Sequence, residues 1–191
     1  MGIGPEQAPL AFTILIVTTL ASLYGLMMDR AFVAQGVFNV AAVRSGQWYR
    51  MVTPAFLHAD LGHLLVNMLT LYFFGPAVEL VYGLVGFAVI YLGSQLAAQG
   101  YTLYRKAGEP DYNALGASGA VSGVVLAFCV FDPLANLYLF FAIPLPAFVF
   151  AVGYIAYSSF AMSGKGRIAH EAHLGGAIGG AVLALLLGTA G

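Results

Sequence analysis

Residues 61–82 read LGHLLVNMLTLYFFGPAVELVY, and besides His63 only Glu79 among them carries a charge near neutral pH. A helix needs about 20 apolar residues to cross the ~30 Å hydrocarbon core of a bilayer. The stretch is long enough, and it sets the solvent for the rest of the chain. Across all 191 residues 61% are hydrophobic and 8% charged, against roughly 25% charged in a soluble domain. There is too little charge to cover a water-facing surface, and mean hydropathy is +0.89. The net charge of -1 comes without a basic block, which argues against nucleic-acid binding.

Working outward by the same rule, spans are predicted at 10–28, 84–104, 115–131, 143–161 and 169–188. The expected architecture is therefore all-α: a polytopic bundle of six transmembrane helices. It forms one domain over 1–191, with its core at about 10–188 and no linkers or repeats. No Lys or Arg precedes Arg30, so 10–28 reads as a retained span rather than a cleaved signal. The long first loop, 29–60, is mixed in character and is expected to fold on the membrane surface, with Trp48 and Tyr49 at the interface. Pro144 and Pro146 break any helix running through 134–148, so 132–142 reads as an apolar loop at the lipid boundary. Cys129 is the one cysteine; it forms no intrachain disulfide and reads as a small buried hydrophobe.

Parity brings polar residues together. Spans 2, 4 and 6 enter the bilayer from one side, carrying His63 and Asn67, Ser118, and His170 and His173 in their first turns. At about 1.5 Å per residue, Ser118 and His173 each lie roughly 6 Å below a helix start. Intramembrane polar side chains mark function by default.

The segment GASGAVSG (116–123) offers two serines. Ser118 sits near a helix N-terminus, where unpartnered N–H groups and the helix dipole favour a developing oxyanion. Ser122 lies one turn deeper, where the N–H groups are already bonded. Ser118 is therefore the better nucleophile. AHLGGAIGG (172–180) puts His173, Gly176 and Gly180 on one helix face, and a neutral imidazole is a natural base near pH 7. Gly116, Gly119 and Gly123 have the small-residue spacing that lets another helix approach. His63 and Asn67, at i and i+4, can both donate to an oxyanion. His170 is expected at the water interface and His58 in a structural role. Glu171 points to a different face from His173, and Glu79 lies about 24 Å along its helix from His63. The predicted site is a Ser–His dyad without a carboxylate.

GASG at 116–119, HADLGHLLVN at 58–67 and AHLGGAIGG at 172–180 together resemble the rhomboid intramembrane serine proteases. So do GQWYR at 46–50, GPAVE at 75–79 and IPLPAF at 143–148, in order along about residues 10–188. The resemblance implies Ser118 as nucleophile and His173 as general base, with His63 and Asn67 assisting the Ser118 N–H at the oxyanion. It implies structural roles for Trp48 and Arg50, and helix packing by Gly119, Gly176 and Gly180. Span 5 and residues 162–168, with Gly164 and Gly166, would gate access from the lipid.

The implied reaction is hydrolysis of a peptide bond in or near a transmembrane segment of another membrane protein, with no metal or organic cofactor. The partners are transmembrane protein substrates and the bilayer. The implied location is a prokaryotic inner membrane, with the site near its outer face, although all seven Lys and Arg lie in loops 1, 3 and 5, which the positive-inside rule would put in the cytoplasm. Family members often carry an aromatic residue four positions after the nucleophile, packed on the base; here that position is Ser122, which could instead hydrogen-bond the imidazole.

Two other functions are compatible with such a chain. One is a catalytically silent relative that binds transmembrane helices. The other is a metal site or transporter built on the four histidines, but the spacing HEAH is not the HExxH of zinc peptidases.

Overall fold

The structure, a computed structural model, describes residues 3–139, 142–161 and 169–188. The expected gating loop 162–168 lies outside the described residues. Among those described, the α-helices are α1 (Pro9–Met27), α2 (Arg30–Gly36), α3 (Val40–Arg44), α4 (Leu61–Arg105), α5 (Ser118–Phe131), α6 (Ala147–Ala161) and α7 (His170–Leu187). Two antiparallel pairs of strands accompany them: β1 (Phe38–Asn39) with β2 (Asn113–Ala114), and β3 (Asn136–Leu139) with β4 (Ile143–Pro146).

The long helix α4 is two helices in sequence. Its run is broken at Gly83, whose φ of 71° and ψ of 170° lie outside helical space. Glycine takes that positive φ without the Cβ clash other residues suffer. The break falls between the predicted spans 61–82 and 84–104. Glu79, just before it, is 2% exposed and accepts the N–H groups of Leu10 and Ala11 at 3.0 and 2.6 Å. The carboxylate thus closes the free N-terminus of α1, where both orphan donors and the helix dipole favour negative charge.

Among the described residues three helices are long and apolar enough to cross a membrane: Pro9–Met27, Leu61–Arg105 and His170–Leu187. Helices α5 and α6 are apolar but shorter. The 14 residues of α5 cover about 21 Å, less than the hydrocarbon core. Large apolar side chains such as Leu65, Phe73, Val85, Val152 and Leu186 face outward, as expected where the solvent is lipid. Helix α5 is enclosed: residues 119–127 are buried without interruption, against both halves of α4 and against α7.

Three expectations need correction. First, α5 starts at Ser118 rather than Leu115, because Asn113 and Ala114 are held extended by pairing with Asn39 and Phe38. Second, the fifth helix starts at Ala147 rather than Ile143. Each proline disfavours helix in the residue before it, so Ile143 and Leu145 are extended and the segment forms β4. Third, part of the apolar loop 132–142 is strand β3, paired with β4. The first loop is structured: α2 and the second of two short 3₁₀ turns pack on α1, α3 packs on the first 3₁₀ turn, and Gln95 in the second half of α4 donates to the Met51 carbonyl at 3.2 Å, with Asp29 and Asn39 capping α2 and α3.

Candidate active site

The site is built around the turn that leads into α5. Gly116 has φ +121°, and a Cβ there would strike the His63 ring. The position therefore needs glycine twice over, for its backbone and for the imidazole packed against it. Its N–H donates to the carbonyl of Pro54 at 3.1 Å, and the Ala117 N–H donates to His58 Nε2 at 3.3 Å. Ser118 follows as the first residue of the helix, three positions nearer its N-terminus than expected. The N–H groups of this first turn have no i−4 carbonyl to bond.

His58 is fully buried, and its protons can be accounted for. Nε2 accepts from Ala117, so Nδ1 carries the hydrogen and donates to Ser22 Oγ at 2.9 Å; Ser22 donates onward to the carbonyl of Phe56 at 3.1 Å. This network holds a neutral ring. Burial, with His63 beside it, lowers the His58 pKa to about 3 against a smaller opposing effect of Asp60. The His58 and His63 rings meet edge to face at 5.0 Å.

His63 sits in the first turn of α4, and its N–H is capped by Asp60 Oδ1 at 2.8 Å. Asn67, 5% exposed, donates from Nδ2 to the His63 carbonyl at 2.9 Å. That uses one amide proton and leaves a second.

The other wall is α7. A Cβ on Gly176 would strike the backbone of Gly119, and one on Gly180 the backbone of Gly123. The two helices therefore run in parallel register with backbone on backbone. In that register Ser118 is level with Gly175, two residues or about 3 Å from the level of His173. His173 stands within electrostatic range of His63 and His170. Among the described residues no hydrogen bond joins the Ser118 hydroxyl to His173.

The Rhomboid domain model matches residues 45–190. The chain belongs to the rhomboid family. It is 34% identical over 150 residues to the mitochondrial RHOMBOID-like protein 12 of Arabidopsis thaliana, covering 70% of this chain and 45% of that protein. It is 32% identical over 165 residues to Rhomboid protease GluP of Bacillus subtilis, covering 86% and 31%. It is 32% identical over 137 residues to the human mitochondrial presenilin-associated rhomboid-like protein, covering 68% and 35%. The chain thus spans less than half the length of these curated relatives. Rhomboid membership and the apolar helices make it an integral membrane protein. The relatives come from mitochondria as well as a bacterium and give no support to the narrower expectation of a prokaryotic inner membrane.

Other rhomboid-motif residues fall as follows. Arg50 donates to the carbonyls of Ala34 and Val37 at 3.1 and 2.7 Å and to Gln47 Oε1 at 2.7 Å, lacing the first loop together. Trp48 is 63% exposed. Ser122 does not serve the imidazole: its hydrogen goes to the Ser118 carbonyl at 2.6 Å, and its oxygen meets Tyr154 Oη of α6 at 2.5 Å. His170 is buried rather than interfacial, because Tyr157 of α6 covers it edge to face at 5.6 Å. His170 also meets the His173 ring edge to face at 6.0 Å.

Sequence reasoning set Glu171 aside and passed over Tyr112. Glu171 is 6% exposed and accepts from the Tyr112 hydroxyl at 2.5 Å. The available signal was a carboxylate in the first turn of an apolar span, which demands a partner. Among the described residues no group of three or more His, Cys, Asp or Glu side chains could hold a metal ion.

Proposed function

We propose that this chain is an intramembrane serine endopeptidase acting on transmembrane protein substrates, with Ser118 as nucleophile and His173 as general base, in a bundle that crosses the bilayer six times. The observation that carries this reading is the glycine-on-glycine contact of α5 and α7. It sets a serine at an open helix N-terminus and a histidine on the facing helix within about 3 Å of one depth. Six crossings follow from counting α4 as two and including α5 and α6.

His173, neutral, accepts the Ser118 proton as the oxygen attacks a substrate carbonyl. The negative charge that forms on the carbonyl oxygen is met by the free N–H groups of the α5 first turn and, from α4, by His63 and the unused proton of Asn67. His173 then returns the proton to the leaving amine. Water hydrolyses the acyl-enzyme by the same steps in reverse. A helical peptide bond hides its carbonyl in the i→i+4 ladder, so substrates should be locally weak helices rich in small residues. Tyr154 and Tyr157 put α6 beside the site, and a substrate arriving from the lipid displaces it. By family resemblance the site lies near the outer face of its membrane, and Trp48 and Arg50 shape the first loop.

The test is cleavage of a single-span substrate in liposomes by the wild type and by Ser118→Ala and His173→Ala. Each variant should lose roughly 10⁴-fold or more while remaining folded. Wild-type cleavage by Ser118→Ala, with none by Ser122→Ala, would put the nucleophile at the wrong serine.

A second reading has its own observation, the missing Ser118–His173 hydrogen bond: a silent relative that binds transmembrane helices. Such bonds are often long until substrate is present, which favours the first reading. A fluorophosphonate separates the two, since a silent protein leaves it unreacted.

A further inference from the structure

A dyad needs something to aim its imidazole, since no carboxylate bonds to it as in a triad. The α5–α7 contact brings His173 close but grips it poorly. Where glycine meets glycine the contact is main chain on main chain, and at the level of His173 it offers no side chain to key α7 against α5. Rotation and depth have to be fixed elsewhere.

Tyr101, Ala97 and Leu183 pack α7 against α4 along its length, and the start of α7, beside the base, adds a polar contact. Glu171 is buried in its first turn, two residues before His173, and accepts from the Tyr112 hydroxyl at 2.5 Å. That distance is typical of a charge-assisted O–H···O⁻ bond. The phenol is the donor: burial, then its bond to Glu171, pushes its pKa well above the ordinary range, so it keeps its proton.

Tyr112 is anchored in turn. Its carbonyl accepts from the Val40 N–H at 3.2 Å, its own N–H donates to Glu109 at 3.0 Å, and Lys106 lies 5.0 Å above its ring. The next two residues are strand β2, paired to β1 of the first loop. Ala169, immediately before α7, packs on the cluster formed by Phe38, Val40, Val43 and Ala114. First loop, third loop and the head of α7 are thus one platform, and the polar bond through it ends beside the base.

We propose that Tyr112 and Glu171 are positioning residues for His173: the phenol holds α7 by the buried carboxylate and so fixes the imidazole against Ser118. This rests on the reading of Ser118 and His173 as nucleophile and base. Neither residue touches substrate.

Tyr112→Phe and Glu171→Ala remove the bond; Glu171→Gln keeps an acceptor for the phenol. With the full-length protein in liposomes, Tyr112→Phe and Glu171→Ala should each lower kcat roughly ten- to a hundredfold, with KM nearly unchanged, and slow fluorophosphonate labelling of Ser118 by the same factor. Rates are taken per folded, monodisperse protein. Glu171→Gln should recover most of the loss, and the double variant Tyr112→Phe/Glu171→Ala should be no worse than Glu171→Ala alone.

Wild-type kcat and labelling in Tyr112→Phe, additive losses in the double variant, or no recovery by Glu171→Gln would each overturn the proposal. Failure of the underlying reading has a different signature. Ser118→Ala would then cleave like the wild type, and this proposal would fall with it.

Discussion

The hydroxyls of Ser122 and Tyr154 meet at 2.5 Å, joining α5 to α6 one turn below Ser118. The direction of the bond is fixed. Ser122 gives its only hydrogen to the Ser118 carbonyl, so Tyr154 donates to Ser122. Tyr154→Phe and Ser122→Ala should each cost about 1 kcal/mol of stability, read by unfolding in mixed micelles. Cleavage should stay measurable in both, since neither hydroxyl belongs to the proposed dyad. The two losses together should fall short of their sum, because both variants remove the shared bond.

The α5–α7 contact predicts a sharp contrast among glycines. A methyl at Gly176 or Gly180 meets the backbone of the facing helix, which cannot move aside as a flexible side chain would. Gly176→Ala should lose about 1–3 kcal/mol by overpacking, along with nearly all cleavage, as Ser118 and His173 move apart. Gly153 on α6 has open space at its Cβ position. Gly153→Ala should match the wild type in both assays, and a loss there as large as at Gly176 would count against the explanation.

If His63 and the unused Asn67 proton stabilise an oxyanion, removing either donor should lower kcat and leave KM nearly alone. The expected loss is roughly 10²-fold for His63→Ala or Asn67→Ala. An effect confined to KM would mean that these side chains hold substrate in its ground state.

His58 makes stability depend on pH. Its folded pKa is lowered to about 3 from the ordinary imidazole value of 6.5. Between those values the unfolded chain binds the proton and the folded one does not. Stability therefore rises with pH through the window and is lost as pH falls below about 6.5, by up to about 1.4 kcal/mol per unit. His58→Ala should be less stable than the wild type at pH 7, and the gap should narrow at pH 5. A gap that widens on acidification would mean that the folded state holds the charged ring.

How much of this was legible in the sequence depended on the range of the contact responsible. The apolar runs and the break at Gly83 are local and could be read directly. So could the spacing of Gly119, Gly123, Gly176 and Gly180, because close backbone approach leaves glycine little competition. The start of α5 was misread by three residues because Asn113 and Ala114 are held by Asn39 and Phe38, far back in the chain. Tyr112 and Glu171 are 59 residues apart, and neither residue alone announces the other. His170 looked interfacial because its cover, Tyr157, comes from another helix. Pro144 and Pro146 signalled an irregular stretch, but only pairing with Asn136–Leu139 makes it a strand.

An interface of bare main chain has no intermediate settings. Gly119 and Gly176 cannot be exchanged for slightly larger residues in small compensating steps, because each added atom meets peptide rather than a side chain able to repack. Sequence drift in this protein should therefore collect on the lipid-facing sides of α1 and α4, where Ile16, Leu20, Leu65 and Val85 touch nothing of defined shape. A saturation-mutagenesis map would show a tolerant shell around a narrow line where almost nothing but hydrogen is accepted.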